Sequence, residues 1–191
     1  MLSQIEIEDI FDRIGPSEDN IIVIDDFLDK EILSILNDFI KNKTNGIQDD
    51  YTFISKKMFK DENVQVFNIL VNLEKEIPHS INAYLKRFSA QVGQKPLFNM
   101  TLASRIPNTE MEEHFDYNPE EIGNGNIFAN ITSLIYLNDD YEGGEIVFPY
   151  QNTTYKPNSG SLLIFPSNYL HKVLECYGNS RYSILACYYF I

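Results

Sequence analysis

The feature that most constrains the fold is a change of residue pattern near residue 97. After it come about eight short runs that are rich in β-branched and aromatic residues and separated by turn residues. The runs are 97–105, 111–116, 128–138, 145–148, 152–155, 160–165, 171–176 and 181–190. So many short strands in one segment are typical of a double-stranded β-helix, or jelly roll. We therefore predict an α+β, mostly β fold.

The residues before this change follow helical spacing instead. Apolar residues predict a short amphipathic helix over 4–14, a helix after Asp29, and a longer helix from Val66 to Phe88. Pro78 falls inside the longest helix, so we expect a kink or a break there. A compact apolar strand is expected at 21–25.

We expect one domain over 1–191, because no linker rich in Pro, Gly or Ser divides the chain. In this division, 1–90 is a helical support region and 97–191 is the jelly-roll core.

Charge and cysteine content narrow the class of partner. The formal net charge is −13, which argues against a nucleic-acid footprint and against an anionic membrane surface. The two cysteines do not make a disulfide framework in a chain of this size. The acidic N-terminal stretch does not resemble a signal peptide, and no apolar run is long enough to span a bilayer. We expect a cytoplasmic protein that is a monomer or a homodimer.

His114 and Asp116 are the strongest candidates for metal ligands. Side chains two residues apart point to the same face of a strand, and His171, which begins a later strand-like run, could add a second imidazole. Two histidines and one carboxylate are the ligand set of non-haem Fe(II) oxygenases. The alternative is a surface His–Asp pair with no metal.

Arg181 opens the apolar run that ends the chain. A charge in such a run is costly unless an opposite charge pairs with it, and a bidentate carboxylate would satisfy the guanidinium. The alternative is an internal Asp or Glu partner. Tyr136 could point inward from the run before Gly143 and Gly144, which predict a tight turn.

Together these segments resemble a known family. The sequences HFD at 114–116, YLNDDYEGGEIVFP at 136–149, GSLLIFPSNYLHKV at 160–173 and RYSILACYYF at 181–190 resemble Fe(II)- and 2-oxoglutarate-dependent dioxygenases. The similarity is greatest to the prolyl 4-hydroxylase-like branch, and it extends over roughly residues 20–191.

The resemblance implies roles for individual residues. His114, Asp116 and His171 would be the Fe(II) ligands, and Arg181 would bind the far carboxylate of 2-oxoglutarate. Tyr136 would hydrogen-bond the same carboxylate, and Ser183, on the same strand face as Arg181, could assist. The family would also use O2, and we expect ascorbate as the reductant.

Arg105 departs from the family pattern. The family often has tyrosine nine residues before the first histidine, where this chain has Arg105. We expect Arg105 to contact either the near carboxylate of 2-oxoglutarate or the substrate.

The predicted activity is hydroxylation of a substrate C–H bond with release of succinate and CO2. The resemblance favours a prolyl 4-hydroxylase-like enzyme that acts on a residue of a peptide or protein. The alternatives are a free amino acid or other small molecule, a non-catalytic jelly-roll binding module, and a Zn(II) or Mn(II) protein that does not use 2-oxoglutarate. Substrate choice should depend on loops 44–62 and 117–127. The acidic pair Glu120-Glu121 in the second loop favours a neutral or basic substrate, and its glycines suggest a lid.

Overall fold

In the computed structural model, three helices alternate with the first two strands of the chain, and ten further strands follow among the described residues. The structure describes residues 2–58, 60, 62–97, 100–117 and 129–191. The helices are α1 (Gln4–Ile14), α2 (Lys30–Thr44) and α3 (Val64–Leu85). The strands are β1 (Ile22–Ile24), β2 (Tyr51–Ser55), β3 (Thr101–Arg105), β4 (Met111–His114), β5 (Ile131–Tyr136), β6 (Glu142–Gly143), β7 (Ile146–Phe148), β8 (Thr153–Tyr155), β9 (Leu162–Pro166), β10 (His171–Val173), β11 (Cys176–Tyr177) and β12 (Arg181–Tyr188).

The two N-terminal helices begin where the sequence supplies a cap. The Ser3 side chain and Glu6 form a capping box at the start of α1. The Asp29 carboxylate accepts a hydrogen bond from the Ile32 amide at the start of α2, which confirms the predicted cap. Each helix buries one apolar stripe and leaves its polar side in solvent.

Helix α3 continues through Pro78, so the break that we allowed for at that residue is wrong. Proline lacks the amide hydrogen and therefore removes one helical hydrogen bond. The residues before and after it, including Leu73, Ile77 and Ile81, are buried in one continuous apolar cluster. This packing keeps both halves of α3 on the same surface and outweighs the local cost.

Two antiparallel sheets face each other and form the jelly roll. The larger sheet has the order β1-β9-β5-β12-β3-β2, and the smaller has the order β4-β10-β7-β8. A two-stranded pair, β6 with β11, lies beside them. The predicted α+β, mostly β jelly-roll class is confirmed.

Alternation along the strands creates two apolar layers. In β12, Ile184, Ala186 and Tyr188 pack with the helices, whereas Leu185 packs with the layer between the sheets. Because side chains of a strand alternate between faces, Arg181 and Ser183 share the face of Leu185. The charged end of β12 therefore points into the space between the sheets.

The strands are shorter than their predicted runs, and one pair was missed. Strand β4 ends at His114, so Asp116 lies just beyond it and not within it. The pair β6–β11 was not predicted because two-residue strands show no alternation of apolar residues. Gly143 makes it possible, since a Cβ at this residue would lie 2.2 Å from the backbone oxygen of Glu175.

The remaining observations concern the surface. His79 is exposed on α3. The predicted lid at 117–127 lies outside the described residues apart from Tyr117. Within the described part of the chain, no helix combines the length and the apolar character needed to cross a membrane.

Candidate active site

The three predicted metal ligands lie together at one end of the smaller sheet. Strands β4 and β10 pair with His114 opposite His171, and Asp116 follows β4. The Nε2 atom of His114 is 3.6 Å from Asp116 Oδ1, and the Nε2 atom of His171 is 3.8 Å from Asp116 Oδ2. The potential ligand atoms of the three residues all lie within 4.8 Å of one another. The structure thus brings residues from two separate motifs to one point.

Both imidazoles are oriented by backbone carbonyls. Nδ1 of His114 donates to the carbonyl of Glu112 at 2.8 Å, and Nδ1 of His171 donates to the carbonyl of Tyr169 at 3.0 Å. A carbonyl oxygen can only accept, so each Nδ1 carries the proton and each neutral ring has its lone pair on Nε2. Those lone pairs are on the atoms that face Asp116.

A hydroxyl pair orients the Asp116 carboxylate. Thr132 on β5 donates its hydroxyl to Asp116 Oδ2 at 2.6 Å. The Thr132 oxygen lies 2.8 Å from the Ser167 hydroxyl, and because Thr132 has already used its proton, Ser167 is the donor in that bond. This chain of hydrogen bonds joins the larger sheet to the candidate ligands, and sequence reasoning did not identify Thr132 or Ser167.

His171 has the more enclosed environment of the two histidines. Its side chain is 5% exposed, and its ring packs 4.9 Å from Phe165 and 5.8 Å from Phe148 between centroids. This burial lowers the pKa of His171, while the nearby Asp116 carboxylate acts in the opposite direction. The imidazole is therefore neutral, and its lone pair available, at pH values where an exposed histidine would begin to be protonated.

A cavity of about 190 Å³ extends from these residues between the sheets. Its walls combine apolar side chains with the three candidate metal ligands and two arginines. The lining residues are Tyr51, Phe53, Arg105, Met111, His114, Asp116, Thr132, Leu134, Ile146, Phe165, His171, Val173, Arg181 and Leu185. The cavity thus places the candidate metal ligands and Arg181 on one enclosed space with an apolar middle.

Arg181 is buried without an acidic partner in the described part of the chain. It is 3% exposed, and its Nε and Nη2 atoms have no hydrogen-bond partner. Its guanidinium lies over the ring of Tyr136, 4.8 Å from the centroid. The alternative of an internal Asp or Glu partner is not seen among the described residues.

Tyr136 and Ser183 are neighbours of Arg181 in the larger sheet. Ser183 pairs with Tyr136 across β12 and β5, and both side chains are buried. The Tyr136 hydroxyl has no hydrogen-bond partner. Tyr136 lies close to Arg181, and Ser183 shares the strand face of Arg181, but neither Tyr136 nor Ser183 is among the residues that line the cavity.

Arg105 and Tyr51 form a second cationic and aromatic pair in the same cavity. Arg105 is 2% exposed, and its guanidinium lies 4.7 Å from the centroid of the Tyr51 ring. Tyr51 and Phe53 belong to the segment 44–62 that we predicted to affect substrate choice, but they are part of edge strand β2 and not of a loop. The alternation Tyr51-Thr52-Phe53-Ile54 was the signal that could have placed them on the cavity wall.

The donor set fits a divalent metal of the iron type. Two neutral imidazoles and one carboxylate, with the side toward the cavity open, are the arrangement that non-haem Fe(II) oxygenases use on several scaffolds. The Nε and Nη2 atoms of Arg181, which line the same cavity without partners, fit a carboxylate. Fold and site together define the class of jelly-roll proteins with a two-histidine, one-carboxylate centre.

Comparisons with known proteins agree with this class. A sequence model of the 2OG-Fe(II) oxygenase superfamily matches residues 100–189. A PKHD-type hydroxylase of Prochlorococcus marinus (strain MIT 9215) is 38% identical over 61 residues, which are 30% of this chain and 28% of that protein. The predicted resemblance to Fe(II)- and 2-oxoglutarate-dependent dioxygenases is confirmed, and the match to the superfamily covers residues 100–189.

Two solved structures show the same fold. The viral collagen prolyl hydroxylase of Paramecium Bursaria Chlorella virus-1 aligns with a TM-score of 0.64 and 17% identity, over 88% of this chain and 94% of that one. The prolyl hydroxylase of Trichoplax adhaerens, solved with a hypoxia inducible factor peptide, aligns with a TM-score of 0.67 and 15% identity, over 96% and 89%. At these identities the similarity establishes the fold alone.

The matches to curated relatives are partial. This chain spans 28% of the first Prochlorococcus protein and 55% of two further PKHD-type hydroxylases.

Proposed function

We propose that this protein is an Fe(II)- and 2-oxoglutarate-dependent dioxygenase that hydroxylates a C–H bond and releases succinate and CO2. The observation that carries the proposal is one cavity lined both by the His114, Asp116 and His171 cluster and by Arg181, whose Nε and Nη2 atoms have no partner. A non-catalytic binding module would have no use for this combination, and a Zn(II) or Mn(II) protein without 2-oxoglutarate would leave Arg181 unexplained.

The three clustered residues would hold the metal in this proposal. His114 and His171 would ligate through Nε2, the atoms that their carbonyl contacts leave unprotonated, and Asp116 through a carboxylate oxygen. The iron, once bound with 2-oxoglutarate, supplies the activation of O2. The Thr132 hydroxyl would keep the Asp116 carboxylate in the orientation that ligation needs.

Arg181 and Tyr136 would anchor the co-substrate. The free Nε–H and Nη2–H groups of Arg181 match a carboxylate, and the unpartnered Tyr136 hydroxyl can donate to the same group. Ser183 lies beside them and could assist. The apolar residues in the middle of the cavity, among them Leu134 and Leu185, would keep water from the bound acid and so strengthen these hydrogen bonds.

Within this activity we propose a prolyl 4-hydroxylase-like reaction on a residue of a peptide. Support comes from the fold shared with prolyl hydroxylases, one of which was solved with a peptide fragment. A free amino acid or other small molecule is the second candidate. It is favoured by the small cavity and by the buried cation of Arg105, which a neutral peptide segment would leave unpaired.

The decisive assay is succinate formation by the purified protein with Fe(II), ascorbate and 2-oxoglutarate, with and without candidate peptides and amino acids. We expect succinate from the wild type and a gain of one oxygen on the accepted substrate. His114→Ala should lose both metal binding and turnover, because one of three ligands is missing. His79→Ala is the matched control, since this histidine is exposed on α3 and should not affect turnover.

Failure of the wild type to form succinate under any of these conditions would reject the oxygenase proposal. Retained metal binding and turnover in His114→Ala would reject the ligand assignment while leaving the activity in place. The two results separate the activity from the residues that we assign to it.

A further inference from the structure

Arg105 is a buried cation that the proposed iron and 2-oxoglutarate sites do not use. It is 2% exposed, it lines the cavity, and its Nε–H has no hydrogen-bond partner. Among the residues that the structure describes, no Asp or Glu forms an ion pair with it. A buried cation without a partner is costly, so this position favours a ligand that supplies the missing anion.

The two buried arginines are adjacent in the sheet but stack on different tyrosine rings. Arg105 on β3 pairs in register with Arg181 on β12 and, on its other side, with Tyr51 on β2. Arg181 stacks on Tyr136, which belongs to β5 on the far side of β12, whereas Arg105 stacks on Tyr51. The two guanidinium groups therefore stack on different rings, one on each side of the pair, although they remain close enough to repel each other and Tyr51 interacts electrostatically with both.

The Arg105 subsite is on the open side of the cavity. Strand β2 is the edge of the larger sheet, and its Phe53 is 50% exposed while it also lines the cavity. The Tyr51 and Phe53 rings contact each other edge to face, with centroids 4.3 Å apart. Arg181, in contrast, lies between β5 and β3 in the interior of the sheet. A ligand that enters past Phe53 therefore meets Arg105 before it reaches Arg181.

Charge gives an independent reason for a second anion. The charged groups on the cavity wall are Arg105, Arg181 and Asp116. A divalent metal would add two positive charges, and 2-oxoglutarate brings two negative charges, so one positive charge would remain. A single carboxylate on the substrate would neutralise it, and buried charges are favourable only when they are paired.

We propose that Arg105, stacked on Tyr51, binds a carboxylate of the substrate itself. This inference rests on the proposed function and narrows it to substrates with an acidic group, either a free acid or a peptide with a free carboxylate. It opposes the expectation of a neutral or basic substrate, which came from Glu120-Glu121, a pair that lies outside the described residues. It also favours the substrate over the near carboxylate of 2-oxoglutarate as the partner of Arg105.

The protonation states of both side chains suit this role. Burial lowers the pKa of Arg105, but a guanidinium remains charged in proteins. Burial also raises the pKa of Tyr51, so its hydroxyl stays protonated and is able to donate a hydrogen bond. The pair thus offers a cation and a neutral donor to the same oxygen atoms.

The test follows the Nε–H resonances of the two arginines by NMR in the Zn(II)-loaded full chain, with acetate as the probe. Arg105→Met and Arg181→Met assign the two resonances by their disappearance. With 2-oxoglutarate at saturation, we expect acetate to shift the Arg105 resonance and leave the Arg181 resonance in place. Acetamide, which has the same shape without the charge, should shift neither.

Variants measure the strength of the interaction through the ring protons of Tyr51. The acetate concentration needed for half of the Tyr51 shift should rise roughly tenfold or more in Arg105→Met, because a charge-assisted hydrogen bond is lost. Arg105→Lys keeps the charge and should give a smaller rise. Arg87→Met is the matched control, since Arg87 also stacks on a tyrosine but lies outside the cavity.

Two results would overturn the assignment. One is a shift of the Arg105 resonance by 2-oxoglutarate after which acetate causes no further shift. This result would mean that both arginines bind the co-substrate. The other is no response of Arg105 to acetate at all. If 2-oxoglutarate failed to shift Arg181 while acetate still shifted Arg105, the co-substrate site would be wrong and the anion subsite would stand.

The same resonance distinguishes the sources of the carboxylate. L-Proline and a tripeptide ending in proline carry the same acid group, and whichever shifts Arg105 at the lower concentration identifies the source. An equal shift by L-prolinamide would overturn the proposal, because the amide lacks the charge.

Discussion

Replacing Arg181 by methionine should stabilise the ligand-free protein and at the same time remove its response to 2-oxoglutarate. Methionine matches the arginine side chain as far as Nε and carries no charge, so it can occupy the same apolar surroundings. The arginine is 3% exposed, and its Nε and Nη2 atoms lack partners. Its guanidinium stacks on Tyr136 at 4.8 Å and also lies near Tyr141.

The expected size follows from these contacts. An unsatisfied buried donor costs about 1–3 kcal/mol, and two of them cost about 2–6 kcal/mol. Stacking of a desolvated cation on an aromatic ring returns about 2 kcal/mol. We therefore expect the ligand-free variant to be more stable by up to about 4 kcal/mol, which raises Tm by up to roughly 16 °C in a chain of this size.

The assay is thermal unfolding of the Zn(II)-loaded wild type and variant, with and without 2-oxoglutarate. A ligand at a hundred times its Kd stabilises by about 2.7 kcal/mol, so the wild type should gain roughly 5–11 °C. The variant should gain little, because truncating one partner of a buried charge pair costs about 2–5 kcal/mol of binding. Arg181→Lys is the control, since it keeps the charge but loses the planar fork.

Two outcomes would refute this reasoning. A lower Tm for ligand-free Arg181→Met would mean that the guanidinium has a stabilising partner in the folded chain. An undiminished 2-oxoglutarate shift in the variant would mean that the co-substrate is anchored by other residues.

Three further predictions concern single contacts of the site and the core. Thr132→Val removes the hydroxyl that donates to Asp116, so metal affinity should fall about 10–100-fold in a metal titration. Thr132→Ser keeps a hydroxyl and should keep the wild-type affinity. Equal metal affinities of wild type and Thr132→Val would show that Thr132 does not orient Asp116. Burial lowers the pKa of His171, so the unfolded chain takes up a proton at this residue at higher pH than the folded chain does. The metal-free protein should therefore lose stability as the pH falls below about 6.5, measured as Tm over a series of pH values. His171→Gln should flatten that part of the series, and an unchanged curve would assign the acid sensitivity to other groups. Burial also raises the pKa of the Cys176 thiol, so iodoacetamide at pH 8 should modify it only after unfolding, as mapped by mass spectrometry; rapid modification of the folded protein would contradict its burial.

The sequence predicted the parts of this molecule that depend on periodicity and on chemically unusual residues. Helix α1, the Asp29 cap and the β-rich half follow from apolar spacing and capping residues. Arg181 was identified because a charge at the head of an apolar strand needs an explanation. These signals are local, and each can be recognised within a few residues.

What the sequence did not predict depends on how distant strands pair. Thr132 is an ordinary residue of an apolar strand until the register places it beside Asp116. Tyr51 gains its role only because β2 pairs with β3 and aligns it with Arg105. At Pro78, the burial of α3 against the rest of the core overrode a local rule. In each case the deciding interaction joins residues that are far apart in the chain.

The alignment of Tyr51, Arg105 and Arg181 in one row of the larger sheet also limits how this chain can evolve. A single residue inserted into or deleted from β3 would shift the strand by one position, and every side chain beyond that point would change faces. Arg105 would then enter the apolar layer under the helices, and Leu102 or its neighbours would enter the cavity. Changes in length should therefore be confined to the turns between strands, while the strands themselves vary only by substitution.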